Sequence, residues 1–192
     1  MSKINSNVET KTRSPYISKF LYVFSLTTWC CSLVSVIYSL VLNIENIFKA
    51  IQSETNYTTE LNIFYIIIFI AIVFEGFKSG AFTKHDDIDN EQDYKMNRFD
   101  YFILIVGIIG ALCGALCFVS TLFAGGSPEI INNSVFCKFC IVNHGELIGY
   151  ITKTKFIYLS ICDILMFPCI LLFFASIMAF RIRTLYLEQK QH

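Results

Sequence analysis

The stretch YFILIVGIIGALCGALCFVSTLFA, residues 101–124, decides how this chain is read. It holds no charged residue, begins directly after Asp100 and stops at Gly125-Gly126-Ser127-Pro128. A helix needs about 20 apolar residues to cross roughly 30 Å of hydrocarbon. Backbone left open cannot face lipid, so such a block must be helical. Three further blocks obey the same rule: residues 20–42 between Lys19 and Glu45, residues 61–77 with Glu75 close to the end, and residues 156–180 between Lys155 and Arg181. The expectation is an all-α chain: an integral membrane four-helix antiparallel bundle, its connections short enough to favour up-and-down neighbours.

Composition supports the lipid bilayer as the first partner. Of the 192 residues 55% are hydrophobic and 16% charged, and the apolar ones fall in long blocks rather than at amphipathic spacing. A formal net charge of zero gives no electrostatic pull on nucleic acid. Residues 1–19 are hydrophilic, and the block behind them is too long for the apolar core of a cleaved signal peptide, so the first span reads as a signal anchor. The basic, Ser- and Thr-bearing tail also fits a mitochondrial transit peptide, which keeps the mitochondrial inner membrane as an alternative to the plasma membrane and the secretory or endosomal pathway.

Crossing direction follows from Lys and Arg near the spans. Lys3, Lys11, Arg13 and Lys19 in the tail (1–19), Lys78, Lys84, Lys95 and Arg98 in the second connection (78–100), and Arg181, Arg183 and Lys190 in the last segment (181–192) share one side. Lys49 in the first outer loop (43–60) and Lys138, Lys153 and Lys155 in the second (125–155) share the other. The richer side is expected to be cytoplasmic, with both termini on it. The sequons at Asn56 and Asn132 both fall in the outer loops, as glycosylation acceptors must.

Lipid is as apolar as Leu, so helices in a membrane associate through small residues and hydrogen bonds. Ser25, Thr28, Ser32, Ser35 and Ser39 line one stripe of the first span. Gly107, Gly110, Gly114, Cys117 and Thr121 line one of the third, and Cys162, Cys169, Ser176 and Ala179 mark the fourth. These stripes predict internal packing, with homo-oligomerisation through Gly110 and Gly114 as the alternative. The second span is bulky throughout and is expected to be the most lipid-exposed, or to meet a partner.

Asp163, inside the fourth span, is the residue most in need of an explanation, because ionisable groups at such depth are costly and face the protein interior or water. Ser35 and Ser39 fall at comparable depth and are expected to hydrogen-bond it, and Pro168 loosens the helix nearby. Glu75, one turn from Lys78, reads as interfacial. Cys137-Lys138-Phe139-Cys140 predicts a disulfide in the second outer loop, since that compartment is oxidising. With His144 the segment lacks a fourth zinc ligand. The cysteines within spans read as small apolar packers, and Trp29, in mid-span, as packing. The acidic run Asp86, Asp87, Asp89, Glu91 and Asp93 lacks the Gly and Glu of a calcium loop and reads as solvated charge. No phosphate-cradling loop, nucleophile–base arrangement or paired carboxylates occur, so neither catalysis nor a cofactor is expected.

Four spans, inside termini and a longer Cys-bearing second loop resemble the small tetraspan proteins, among them the MARVEL, claudin-like and LAPTM-like families. Phe24-Ser25-Leu26-Thr27-Thr28 with Val36-Ile37-Tyr38-Ser39-Leu40 resembles the start of insect LAPTM-like and pasiflora-type tetraspans, with Thr27 where their run has Arg and Trp29 where it has Gly. A vitamin K epoxide reductase-like enzyme would need a second Cys pair in residues 43–60, which hold none. The resemblance implies a structural or organising membrane protein at cell contacts or in trafficking, acting through membrane protein partners. A channel or transporter subunit using Asp163 in an oligomer, and an accessory subunit of an organelle membrane complex, are the alternatives.

Overall fold

A computed structural model describes residues 17–55, 63–80, 96–133 and 136–191; Asn56 and the acidic run at 86–93 lie outside them. The elements run α1 (Lys19–Ser53), α2 (Ile63–Lys78), α3 (Arg98–Ala124), β1 (Ser127–Asn133), β2 (Phe136–Asn143), β3 (Glu146–Tyr150) and α4 (Lys153–Gln191). By length and composition α1, α3 and α4 can each cross a membrane, which is compatible with an integral membrane location. The 16 residues of α2 reach about 24 Å, somewhat short of the roughly 30 Å hydrocarbon layer.

Local chemistry sets the helix ends. The Ser18 hydroxyl accepts from the Leu21 N–H at 3.2 Å and starts α1. Asn97 and Asp100 form a reciprocal capping box that starts α3: Asn97 Oδ1 accepts from Asp100 N at 3.0 Å, and Asp100 Oδ2 accepts from Asn97 N at 2.8 Å. Gly125, at φ 77, ends α3 in the left-handed conformation that glycine adopts without steric cost.

α4 is the hub, and its neighbours are placed by named contacts. Asp100 meets Arg183 and Gly107 meets Ser176, so α3 runs antiparallel to α4. Tyr22 meets Arg183 and Trp29 meets Ser176, so α1 does as well. Tyr65 pairs with Ser39 and Glu75 lies beside Ser25, which makes α2 antiparallel to α1. Of α2 only Ile68, Ile72, Glu75 and Gly76 are buried, as its uniformly bulky sequence predicts for an exposed helix.

Two extensions depart from the expected boundaries. α1 does not stop near residue 42 but continues to Ser53, because Ile47 and Ala50 lie on its inner side and are buried against Ile130, Phe156 and Ile164. At the opposite end α4 continues to Gln191, where Ile182 packs on Ile17 and Leu21, and Tyr22 stacks on Tyr186 at 4.5 Å.

The all-α expectation is corrected at residues 125–155. They form a three-stranded antiparallel sheet in the order β1-β2-β3. β1 and β2 pair from Ser127 opposite Val142 to Asn133 opposite Phe136. His144 and Gly145 turn β2 into β3 with φ values of 50 and 85, the two positive φ angles that a type I′ hairpin requires. At Gly126 an added Cβ would run into the Val142 carbonyl, so only glycine admits so close an approach of β2. The sheet rests on the extension of α1 and the start of α4 through Ile130 and Phe139, whose ring lies 4.9 Å from that of Phe156.

Candidate functional site

An apolar helical unit makes its polar groups conspicuous, and they collect in two places. The first is the end formed by the start of α1, the end of α2, the start of α3 and the end of α4. There the capping box leaves Oδ1 of Asp100 facing α4, where Arg183 Nε donates to it at 2.6 Å. Asp100 is fully buried, and the Arg183 side chain keeps 12% of its surface. Arg183 Nη1 also donates to the Tyr22 hydroxyl at 2.7 Å, and the guanidinium lies 5.0 Å from the Phe99 ring centre. One arginine thus ties α1, α3 and α4 together.

Two turns deeper, Trp29 Nε1 donates to Ser176 Oγ at 3.0 Å, and Ser176 donates to Leu172 O at 2.8 Å. The Trp29 ring meets Phe99 and Phe102 edge-on at 6.2 and 5.9 Å. Trp29 is therefore packing, as expected, with a polar handle that the sequence does not announce. Beside it is Glu75, and here the interfacial reading is corrected. Glu75 has no exposed surface, and neither carboxyl oxygen has a hydrogen-bond partner among the described residues. Lys78, its expected neighbour in charge, instead lies over the Phe74 ring at 5.8 Å. The rotation of α2 about its axis, set by Ile68 and Ile72 turning inward, carries Glu75 in with them.

The second place lies toward the sheet. Asp163 is half-buried in α4 and shows no hydrogen bond or ion pair among the described residues. The expected contacts from Ser35 and Ser39 do not form. Ser35 Oγ donates to Ser32 O at 2.7 Å, and Ser39 Oγ pairs with the Tyr65 hydroxyl, because a serine on a helix finds the carbonyl one turn back or a facing helix first. Pro168 has no N–H to give to the Ile164 carbonyl, so the α4 ladder is interrupted one turn beyond Asp163.

Gly107, Gly110 and Gly114 all turn onto α4. A Cβ at Gly107 would stand 2.7 Å from Ser176 Cβ, at Gly110 3.1 Å from the Cys169 carbonyl, and at Gly114 3.2 Å from Ile170 Cγ1. This face is used within the chain, as internal packing predicts.

Cys137 and Cys140 are not brought together. Both belong to β2, where three residues span about 10 Å, beyond the roughly 7 Å between Cα atoms that a disulfide tolerates. Cys140 is a buried free thiol whose Sγ donates to Glu129 O at 3.4 Å. Burial pushes this thiol up from its ordinary value, and the nearby Glu129 carboxylate pushes it further. Asn132 lies in β1 opposite Cys137. Among the described residues no group of three or more His, Cys, Asp or Glu is placed to hold a metal ion.

Compared with protein-family models, curated proteins and solved structures, the chain matches none.

Proposed function

We propose that this chain is a four-pass membrane protein with both termini cytoplasmic, and that it has a structural, organising role exercised through membrane protein partners. The observation that carries this reading is how the polar and small residues are used. The glycine face of α3, the Trp29–Ser176 bond and the Arg183 tie all turn inward and fix the helices against one another. What is left for the surroundings is a broad apolar side surface, with Ile63 71%, Ile67 57%, Ile70 60% and Phe77 72% exposed along α2 alone. A rigid unit with such a surface is suited to lateral association, where close fit rather than hydrophobicity decides the partner. Immunolocalisation with affinity purification in mild detergent tests it. Enrichment at cell borders or on trafficking vesicles with co-purified membrane proteins is the expected result, and a uniform distribution without partners overturns it.

A second reading, a channel or transporter subunit, is favoured by one observation: Asp163 lies inside α4 without a hydrogen-bonding partner among the described residues. Ion or proton flux in reconstituted vesicles tests it. Loss of flux in Asp163→Asn supports this reading, and unchanged flux removes it.

A further inference from the structure

The carboxyl of Glu75 is sealed more completely than that of Asp163, and its surroundings are better defined. Its two oxygens are buried without a hydrogen bond among the described residues, and so is Oγ of Ser25 beside it. The second neighbour is Thr28, whose hydroxyl already donates to Phe24 O at 3.1 Å and so has only lone pairs to present to Glu75. Phe24 and Phe74 meet edge-on at 5.9 Å and make the flank apolar.

Among the described residues, several charged groups at this end of the unit are engaged elsewhere. On α2, Lys78 lies over Phe74. On α4, Arg181 donates to Gly80 O at 3.5 Å and Arg183 is held by Asp100 and Tyr22. α3 opens with Arg98 and Asp100, of which Asp100 is bound to Arg183. α1 opens with Lys19, and the groups it sets beside Glu75 are the hydroxyls of Ser25 and Thr28.

We propose that Glu75, with the hydroxyls of Ser25 and Thr28, forms a proton-binding site in the seam between α1 and α2, holding one exchangeable proton as a neutral carboxylic acid. An ionised carboxylate accepts hydrogen bonds and cannot donate, so it gains nothing from an oxygen such as Thr28 Oγ1 whose proton is committed. A protonated carboxyl donates where Thr28 Oγ1 can only accept, Ser25 Oγ is left to serve the other carboxyl oxygen, and protonation removes the charge that so buried a position penalises most. On binding, a proton passes from hydronium to a carboxylate oxygen, an O–H bond forms and water is left; no electrons are exchanged. The site is independent of the organising role proposed above, and its failure leaves that role untouched.

The test uses the full chain, purified in mild detergent and treated with dicyclohexylcarbodiimide, an apolar reagent that adds to protonated carboxyls and leaves a stable acylurea readable by peptide mass mapping. The expected result is an adduct at Glu75 in mildly acidic buffer. It declines about tenfold for each pH unit above its midpoint, and sodium or lithium at matched ionic strength leaves it unchanged. Glu75→Gln, a neutral isostere, keeps the native elution profile and loses the adduct. If that variant misfolds, the pH and salt dependence of the wild-type adduct still decides. No adduct at any pH, or an adduct indifferent to pH, overturns the proposal. Protection by sodium overturns it in favour of a metal-cation site.

Discussion

Asp100 is buried at the start of α3 and accepts from Arg183 at 2.6 Å, so Arg183→Ala strands a carboxylate without its guanidinium. Breaking a buried pair from one side costs about 3–5 kcal/mol. A loss of that order is expected in reversible unfolding in mixed micelles, with Arg183→Lys recovering only part, since a compact ammonium cannot reach Asp100 and Tyr22 together. Neither partner stands out in the sequence: Asp100 reads as the charge that ends a span, and Arg183, 83 residues away, as one more inside cation. The same holds for Glu75, whose facing is decided by the rotation of α2 and not by its distance from Lys78. At Cys140 burial and the Glu129 carboxylate favour the protonated thiol. Because only the thiolate is nucleophilic, iodoacetamide should modify Cys140 more slowly than a free cysteine at every pH below the shifted value. The rate should rise at higher pH than it does for a free cysteine, whose ordinary value is about 8.5. Labelling at the free-cysteine rate near neutral pH would contradict this.

The seam between α3 and α4 is the element that the sequence announces most openly. Glycines at 107, 110 and 114 and small residues at 162, 169 and 176 have helical spacing, and each is buried where the helices meet. What the spacing leaves open is the partner, because a small-residue face suits a second copy as well as a neighbour in the same chain. Gly107→Ala places a methyl 2.7 Å from Ser176 Cβ, a contact that no flexible end can relieve. Overpacking costs about 1–3 kcal/mol, against which the better helix propensity of Ala returns about 1 kcal/mol. A net loss of thermal stability in detergent is expected, and the double variant Gly110→Ile with Gly114→Ile should not yield a monodisperse fold. A well-folded double variant would show that the seam is not essential. The sheet at 125–155 was legible in principle through Asn143-His144-Gly145 between two runs rich in β-branched and aromatic residues. Its CxxC spacing points to disulfide or metal chemistry instead, and extended strand geometry excludes the first.

For the whole molecule, the contacts of α1 with α2 and α4, and of α3 with α4, alternate up and down, so the sheet and the Arg183 tie lie at opposite ends. If the four-pass reading holds, a glycan is expected on Asn132 in microsomal membranes, seen as an endoglycosidase-sensitive shift that Asn132→Gln abolishes. A sequon added after Gln191 should stay unmodified. Modification at the C-terminal sequon would reverse the orientation. The sequence by itself determined that the chain is built from long apolar helices, which stripes of those helices are small or polar, and the expected sense of crossing. Those properties depend on transfer free energy and on the 3.6-residue helical period, both of which are local. Tertiary structure alone decided that α4 is the hub, that α1 extends under a sheet, that the glycine face is internal, and that Asp100 has an arginine while Glu75 meets none among the described residues. Each of these depends on which helix face meets which neighbour, and the energy of that meeting belongs to pairs of residues far apart in the chain.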